Sequence, residues 1–158
     1  MGSTRFPRKI LEPYKGETLL SYIINECEDT KIPVVTAIPK SESYGEDFEI
    51  PSLGYKIFFN GSENDVISRF YHCAKIMDFD PIIRVCADTP LIKHELILQQ
   101  LENYKKYGGF CYGNFCEVFS FEELEKYYKN DRRPEVREHV TYGMLHDRAI
   151  NWEIDLDN

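Results

Sequence analysis

The sequence predicts an α/β domain with a mostly parallel sheet flanked by helices. Two observations lead there. Short apolar runs rich in β-branched residues alternate with stretches of helical periodicity, a pattern of strand–helix units. The chain has 158 residues, which suits one domain spanning 1–158 with a sizeable core.

The elements follow in order. Thr18 to Glu28 reads as a helix, because Leu19, Leu20, Ile23, Ile24 and Cys27 recur at helical spacing. Pro33 to Ile38 is a β-branched apolar run closed by Pro39, a buried strand. Residues 40–54 are polar and rich in turn formers, so they read as a loop. Tyr55 to Phe59 is a second strand, stopped by Asn60-Gly61. Ser62 is placed to cap a helix from Glu63 to about Met77, with Asp65 at its third position. The inner face of that helix is Val66, Ile67, Phe70, Cys73, Ala74 and Met77.

Ile82 to Ala87 is a third strand, and Asp88-Thr89-Pro90 follows at its carboxyl end. Ligands of open α/β sheets gather at that end, so Asp88 stands where chemistry is expected. His94 to Tyr107 is a helix, Glu117 to Ser120 a strand, and Phe121 to Lys129 a helix. After a break at Asp131 to Pro134, Glu135 to Leu145 is expected to be helical. Asn151 to Ile154 reads as a last short strand ending at Asp155.

Composition narrows the function. With 27 acidic against 19 basic side chains and a net charge of −8, the surface lacks the basic field that nucleic acid requires. No apolar stretch has membrane-spanning length, and no basic segment followed by an apolar one trails Met1. A cytoplasmic location and no membrane insertion are therefore expected. Cys27, Cys73, Cys86, Cys111 and Cys116 are odd in number and lack a Cys-x-x-Cys pair, so reduced thiols are expected rather than disulfides or zinc. His72, His94, His139 and His146 stand apart from any triad pattern and are read as structural or solvated. No Gly-x-Gly-x-x-Gly, Walker A, His-Glu-x-x-His or nucleophile elbow is present.

The chain opens Gly2-Ser3-Thr4-Arg5-Phe6-Pro7-Arg8-Lys9, three cations within five residues of an acidic protein. Small residues let the backbone approach phosphate oxygens while Arg and Lys neutralise them. A charged chain end without function is the plain alternative. Two Asp-x-Asp strings occur. Asp78-Phe79-Asp80 reads as turn carboxylates, whereas Asp155-Leu156-Asp157 follows a strand and could hold Mg²⁺.

Six further blocks, in order, resemble one family. After the Gly2–Leu11 loop come Gly16 with Leu19-Leu20, Gly61 to Phe70, Arg84 to Ile92, Glu117 to Glu122, Arg137-Glu138-His139-Val140-Thr141, and Trp152 to Asp155. Together they are similar to the spore-coat polysaccharide type of cytidylyltransferase, a relative of the CMP-sialate and CMP-Kdo synthetases. The resemblance implies a glycosyltransferase-A-like nucleotidyltransferase fold, CTP and a sugar as substrates, and Mg²⁺ as cofactor. It implies nucleotide contacts from Gly2, Ser3, Arg5, Lys9 and Arg84, with Lys9 and Asp88 catalytic. Asp88 and Asp155 would be metal ligands. Arg69, Glu117, Arg137 and His139 would face the sugar, although an ion pair inside the fold is an equal reading for Arg69 and Arg84. A homodimer is left open.

The departures are specific. The family's hydrophobic first strand precedes the glycine loop, and this sequence starts inside that motif, so a reduced sheet is expected. Arg8 replaces a glycine, Lys93 an acid, and Phe115 an aspartate. The stretches 109–117 and 141–152 are short, where the family builds its sugar pocket and dimer arm. Two further readings stay open: an inactive binding or scaffold protein of the same fold, and a glycosyltransferase with an Asp-Leu-Asp metal motif.

Overall fold

The structure is a computed structural model that describes residues 13–14, 17–39, 55–60, 62, 64–87, 89–113 and 115–147. Strands β1 (Pro13–Tyr14) and β2 (Glu17–Thr18) form a small antiparallel hairpin leading directly into α1 (Leu19–Asp29). Thr18 is the cap of α1 rather than its first residue, because its Oγ1 accepts the Ser21 N–H at 3.1 Å. β3 (Val35–Pro39) then pairs in parallel with β4 (Tyr55–Phe59), from Val35 opposite Tyr55 to Pro39 opposite Phe59.

Helix α2 (Val66–Met77) starts three residues later than its sequence suggests. Asp65 takes φ −93° and ψ 64°, off the helical path, and becomes the cap. Ser62 closes a turn instead: its Oγ accepts the Asn64 N–H and its carbonyl accepts the Asp65 N–H. The expected inner face holds, with Val66, Ile67, Cys73 and Ala74 buried, but Arg69 and Tyr71 are buried beside them. Asp78 ends α2 in the left-handed conformation at φ 55°, and Asp80 Oδ1 accepts the Phe121 N–H. The Asp78-Phe79-Asp80 string therefore serves helix ends, as its position between helix and strand suggests.

β5 (Ile82–Val85) leads through residues 86–93 to α3 (His94–Tyr107), whose bounds match the sequence reading. β6 (Cys116–Phe119) pairs with β5 antiparallel, Ile82 opposite Phe119 and Val85 opposite Cys116. The reason lies just before it. Cys111 and Val118 exchange two backbone hydrogen bonds of 2.9 Å, so the chain folds into a hairpin and reverses after α3. Gly108 and Gly109, at φ 70° and 72°, supply the turn that starts it. α4 (Phe121–Asn130) is capped by Ser120, whose Oγ accepts the Glu123 N–H. The stretch expected as one helix from Glu135 to Leu145 divides into α5 (Pro134–His139) and a helical segment at 142–147. Val140 breaks it, at φ 38°, a strained value for a β-branched residue. Asn151 to Ile154 lies outside the described residues.

Two apolar clusters hold these elements. One joins α2, β6, α4 and α5 through Ile67, Tyr71, Phe119, Leu124 and Val136. The other joins α1 and α3 through Leu19, Tyr22, Ile23, Ile92 and Ile97. Between β3 and β5 lies an apolar cavity of about 330 Å³, walled by Leu20, Ile24, Val35, Phe70 and Ile83 among others. No helix among the described residues is long and apolar enough to cross a membrane.

The 142–147 segment packs tightly on α4. A Cβ on Gly143 would meet Tyr127 Cε1 at 2.4 Å, and Tyr127 is itself tied down by a 2.6 Å hydrogen bond to Asp147. Gly143→Ala is therefore expected to destabilise the fold by about 1–3 kcal/mol, despite alanine's better helix propensity. Urea unfolding would check this; an unchanged or raised midpoint would refute the packing argument.

Candidate functional site

Of the described site residues, Arg84 and Glu117 meet in the β5–β6 ladder, and Arg84 and His139 line the cavity beside it. Arg84 and Glu117 are direct cross-strand partners in the β5–β6 ladder. Arg84 Nη1 donates to Glu117 Oε2 at 3.1 Å, and the side chains keep 13% and 12% exposure. Thr141 Oγ1 reaches Glu117 Oε1 at 3.5 Å from the far side of the Val140 break. The strained backbone at Val140 thus places Thr141 on the ion pair while His139 and Glu138 line the cavity. Arg84 also lines it, with its guanidinium carbon 5.7 Å from the Phe70 ring centre. Its Nε is buried and has no hydrogen-bond partner among the described residues. The cavity is therefore aliphatic on most sides and polar at one corner.

Arg69 and Arg137 lie apart from that corner and hold the turn before α2. Arg69 is buried and Nη1 donates to the Ser62 carbonyl at 3.3 Å. Arg137 Nη2 pairs with Asp65 Oδ1 at 3.0 Å, and its Nη1 donates to the Tyr128 carbonyl at 2.7 Å. These two cations tie α2, α4 and α5 together. Gly2, Ser3, Arg5, Lys9, Asp88 and Asp155 lie outside the described residues. Residues 86 and 87, which precede Asp88 in the sequence, line the cavity.

One cluster has no counterpart in the sequence reading. Glu26 Oε2 accepts the His94 backbone N–H at 2.7 Å and faces His94 Nδ1 at 3.0 Å. Glu95 Oε1 lies 3.2 Å from His94 Nε2. Among the described residues, these three form the group with cation-ligand spacing. Both ring nitrogens already face carboxylates, however, and the group sits on the positive end of α3, which disfavours a cation. It is an ion-paired cap. Burial opposes ionisation of Glu26, but the His94 backbone and side-chain hydrogen bonds and the His94 and Lys93 charges outweigh it and hold its pKa below 4.5. The Glu26 hydrogen bond raises the His94 pKa above 6.5 against desolvation, helped by the charges of Glu95, Glu26 and Asp29. The available signal was Tyr22 and Glu26, one turn apart on the same face of α1.

None of the five cysteines is in a disulfide. Burial pushes the thiols of Cys27, Cys73 and Cys116 up to about 12, so they stay protonated near neutral pH, as befits reduced core residues.

Breaking the central pair has a predictable cost. Arg84→Met alone strands the Glu117 carboxylate and should cost about 3–5 kcal/mol. Arg84→Met with Glu117→Leu removes both charges and should recover most of that loss. Chemical denaturation of the two variants decides it; equal losses would mean that the pair contributes no coupling.

Known proteins can now be set beside this geometry. Residues 1–150 match the family model described as Cytidylyltransferase. The chain is 34% identical over 151 residues to the uncharacterized protein MJ1063 of Methanocaldococcus jannaschii, covering 89% of this chain and 61% of that one. It is 28% identical over 105 residues to the spore coat polysaccharide biosynthesis protein SpsF of Bacillus subtilis, covering 61% and 43%. Against the 3-deoxy-manno-octulosonate cytidylyltransferase of Fusobacterium nucleatum it is 26% identical over 106 residues, covering 66% and 42%. A solved cytidylyltransferase structure from Leptospira borgpetersenii serovar Hardjo-bovis superposes with TM-score 0.68 and 25% identity, over 90% of this chain and 66% of that one. The chain spans between 42% and 61% of the length of these curated relatives. By the extent of the family match, from residue 1 to residue 150, the chain belongs to the cytidylyltransferase family.

Proposed function

We propose that this chain transfers CMP from CTP to a sugar, with Mg²⁺, for glycan or polysaccharide biosynthesis. The observation that carries the reading is the family match over residues 1–150. In the reaction a sugar oxygen attacks the α-phosphorus, the α–β phosphoanhydride bond breaks, and pyrophosphate leaves. The oxygen loses its proton to a base that this chain has not identified. Catalysis of this kind rests on in-line positioning and on offsetting negative charge.

Arg5 and Lys9 would neutralise the triphosphate, with the Gly2 and Ser3 backbone lying against it. Glu117 is an unsuitable metal ligand, because Arg84 already neutralises it. The metal role is assigned to Asp88 and Asp155, and bound Mg²⁺ would offset charge on the phosphate oxygens. Arg84, which lines the same cavity, would contact the nucleotide. His139 and Glu138 line the corner from α5 and would contact the sugar. Arg69 and Arg137 would act on the sugar side through the turn that they hold.

The cavity between β3 and β5 favours a second reading, an inactive binding or scaffold protein, since most of its wall is aliphatic. Calorimetric titration with CTP, ATP, GTP and UTP, with and without Mg²⁺, separates the two. The enzyme reading expects magnesium-dependent binding selective for CTP, at least tenfold weaker in Asp88→Ala, and pyrophosphate release with an accepted sugar. Folded protein that binds no nucleotide would overturn it and favour the scaffold.

A further inference from the structure

Helix α1 grips the segment that follows Asp88. Glu26 Oε2 holds both the backbone N–H and Nδ1 of His94, at 2.7 and 3.0 Å. One turn earlier on the same face, the Tyr22 hydroxyl donates to the Ile92 carbonyl at 3.1 Å. Lys93 Nζ closes over Tyr22, 2.9 Å from its hydroxyl and 5.5 Å from its ring centre. Ile92 is fully buried, and its N–H donates to the Thr89 carbonyl at 3.2 Å. Thr89 Oγ1 in turn donates to the Cys86 carbonyl. A continuous run of hydrogen bonds thus passes from α1 to residues 92–94, then 89, then 86. It brackets position 88 on both sides.

The grip has no local substitute. Lys93, the residue at the cap of α3, makes no side-chain capping hydrogen bond to the helix. The N–H at the start of α3 is satisfied from another helix, by a carboxylate that also carries charge toward the helix's positive end. His94 is flanked by Glu26 and Asp29 of α1 and by Glu95 of its own helix, with Lys93 adjacent. From β6, against which α3 also packs, the Cys116 carbonyl meets Gln100 at 3.3 Å, a contact without charge.

We propose that Glu26 and His94 are positioning residues: their ion pair is a proton-operated clasp that fixes residues 89–94 against α1, so Mg²⁺·CTP binds best when His94 is protonated. The functional half rests on the reading above; the clasp itself does not. The sign follows from the two groups. Glu26 has a depressed pKa, so its contribution is present above 4.5 and lost as pH falls through its lower folded value. His94 has a raised pKa, so its contribution is full below 6.5 and lost as pH rises through its higher folded value. The clasp is closed between those limits and loosens on the alkaline side.

Two readouts on wild type and Glu26→Gln test this. The glutamine keeps an oxygen for the His94 N–H but removes the charge. Histidine NMR titration and the protection factor of the Ile92 amide report the clasp. The expected result is that Ile92 protection in wild type falls with His94 deprotonation, whereas in Glu26→Gln the His94 pKa drops toward its ordinary value and the pH step in protection disappears. Mg²⁺·CTP affinity from calorimetry should weaken about fivefold more in wild type than in Glu26→Gln as the pH rises through the His94 titration. Titration of CTP itself is common to both proteins and cancels. His94→Gln serves as a second variant if Glu26→Gln does not fold, and it too should abolish the step. Ile92 protection that ignores the His94 titration overturns the clasp, even if CTP binds. A clasp that titrates as described in protein that binds no CTP leaves the positioning of the turn standing and overturns the nucleotide reading alone.

Discussion

The ion pair between Arg84 and Glu117 is the constraint around which the rest is arranged. Removing two charges from water costs several kcal/mol per ion, and only close geometry with further hydrogen bonds offsets it. Here the pair forms straight across an antiparallel ladder, so the β5–β6 register is part of the solution. A slip of one residue would turn Arg84 and Glu117 to opposite faces and leave each charge alone. The third partner, Thr141, comes from beyond the end of α5. A straight helix from Glu135 to Leu145 would have to carry Thr141 elsewhere, and the chain instead accepts the strain at Val140, which is fully buried and held by the core.

The same logic explains why the blocks that resemble the family meet in space. Arg69 belongs to one block and Arg137 to another, and both secure the turn from Ser62 to Asp65. Arg84, Glu117 and Thr141 come from three blocks and share one hydrogen-bonded group. Buried charges tolerate few replacements, because each needs a partner of opposite sign at a set distance. Motifs that look like site signatures in a sequence can therefore be the joints of a scaffold.

What the sequence disclosed followed from periodicity. The bounds of α3 and β4 are legible because apolar spacing and turn residues agree there, and α1 differs only in that Thr18 caps it. What it hid depended on contacts distant in sequence. Nothing local marks Val140 as a break, since the nearest glycine, Gly143, sits inside the helical segment that follows, and the partner that Thr141 meets is Glu117, more than twenty positions earlier. The reversal before β6 rests on one bridge between Cys111 and Val118, too short to show alternation. Ser62 looks like a helix cap, yet Arg69 and Arg137 draw its turn away from the helix axis. At the site, Arg84 was readable both as a ligand contact and as half of an ion pair. The geometry realises the ion pair and leaves one nitrogen, Nε, unmatched by the described residues. Glu26 shares a face of α1 with Tyr22, but capping from another helix leaves no trace in the capped segment to say what that face meets.

The cavity gives that unmatched nitrogen its meaning. An aliphatic void forfeits dispersion contacts along its lining, and it offers nothing to hold water on its apolar sides. A polar group at the rim of such a space is costly unless something meets it. Arg84 lines this space with its Nη1 spent on Glu117. Neutralised by Glu117, the pair carries little net charge into the cavity. Among the described residues the Arg84 Nε finds no acceptor, a cost that the pair bears to keep its place in the β5–β6 register.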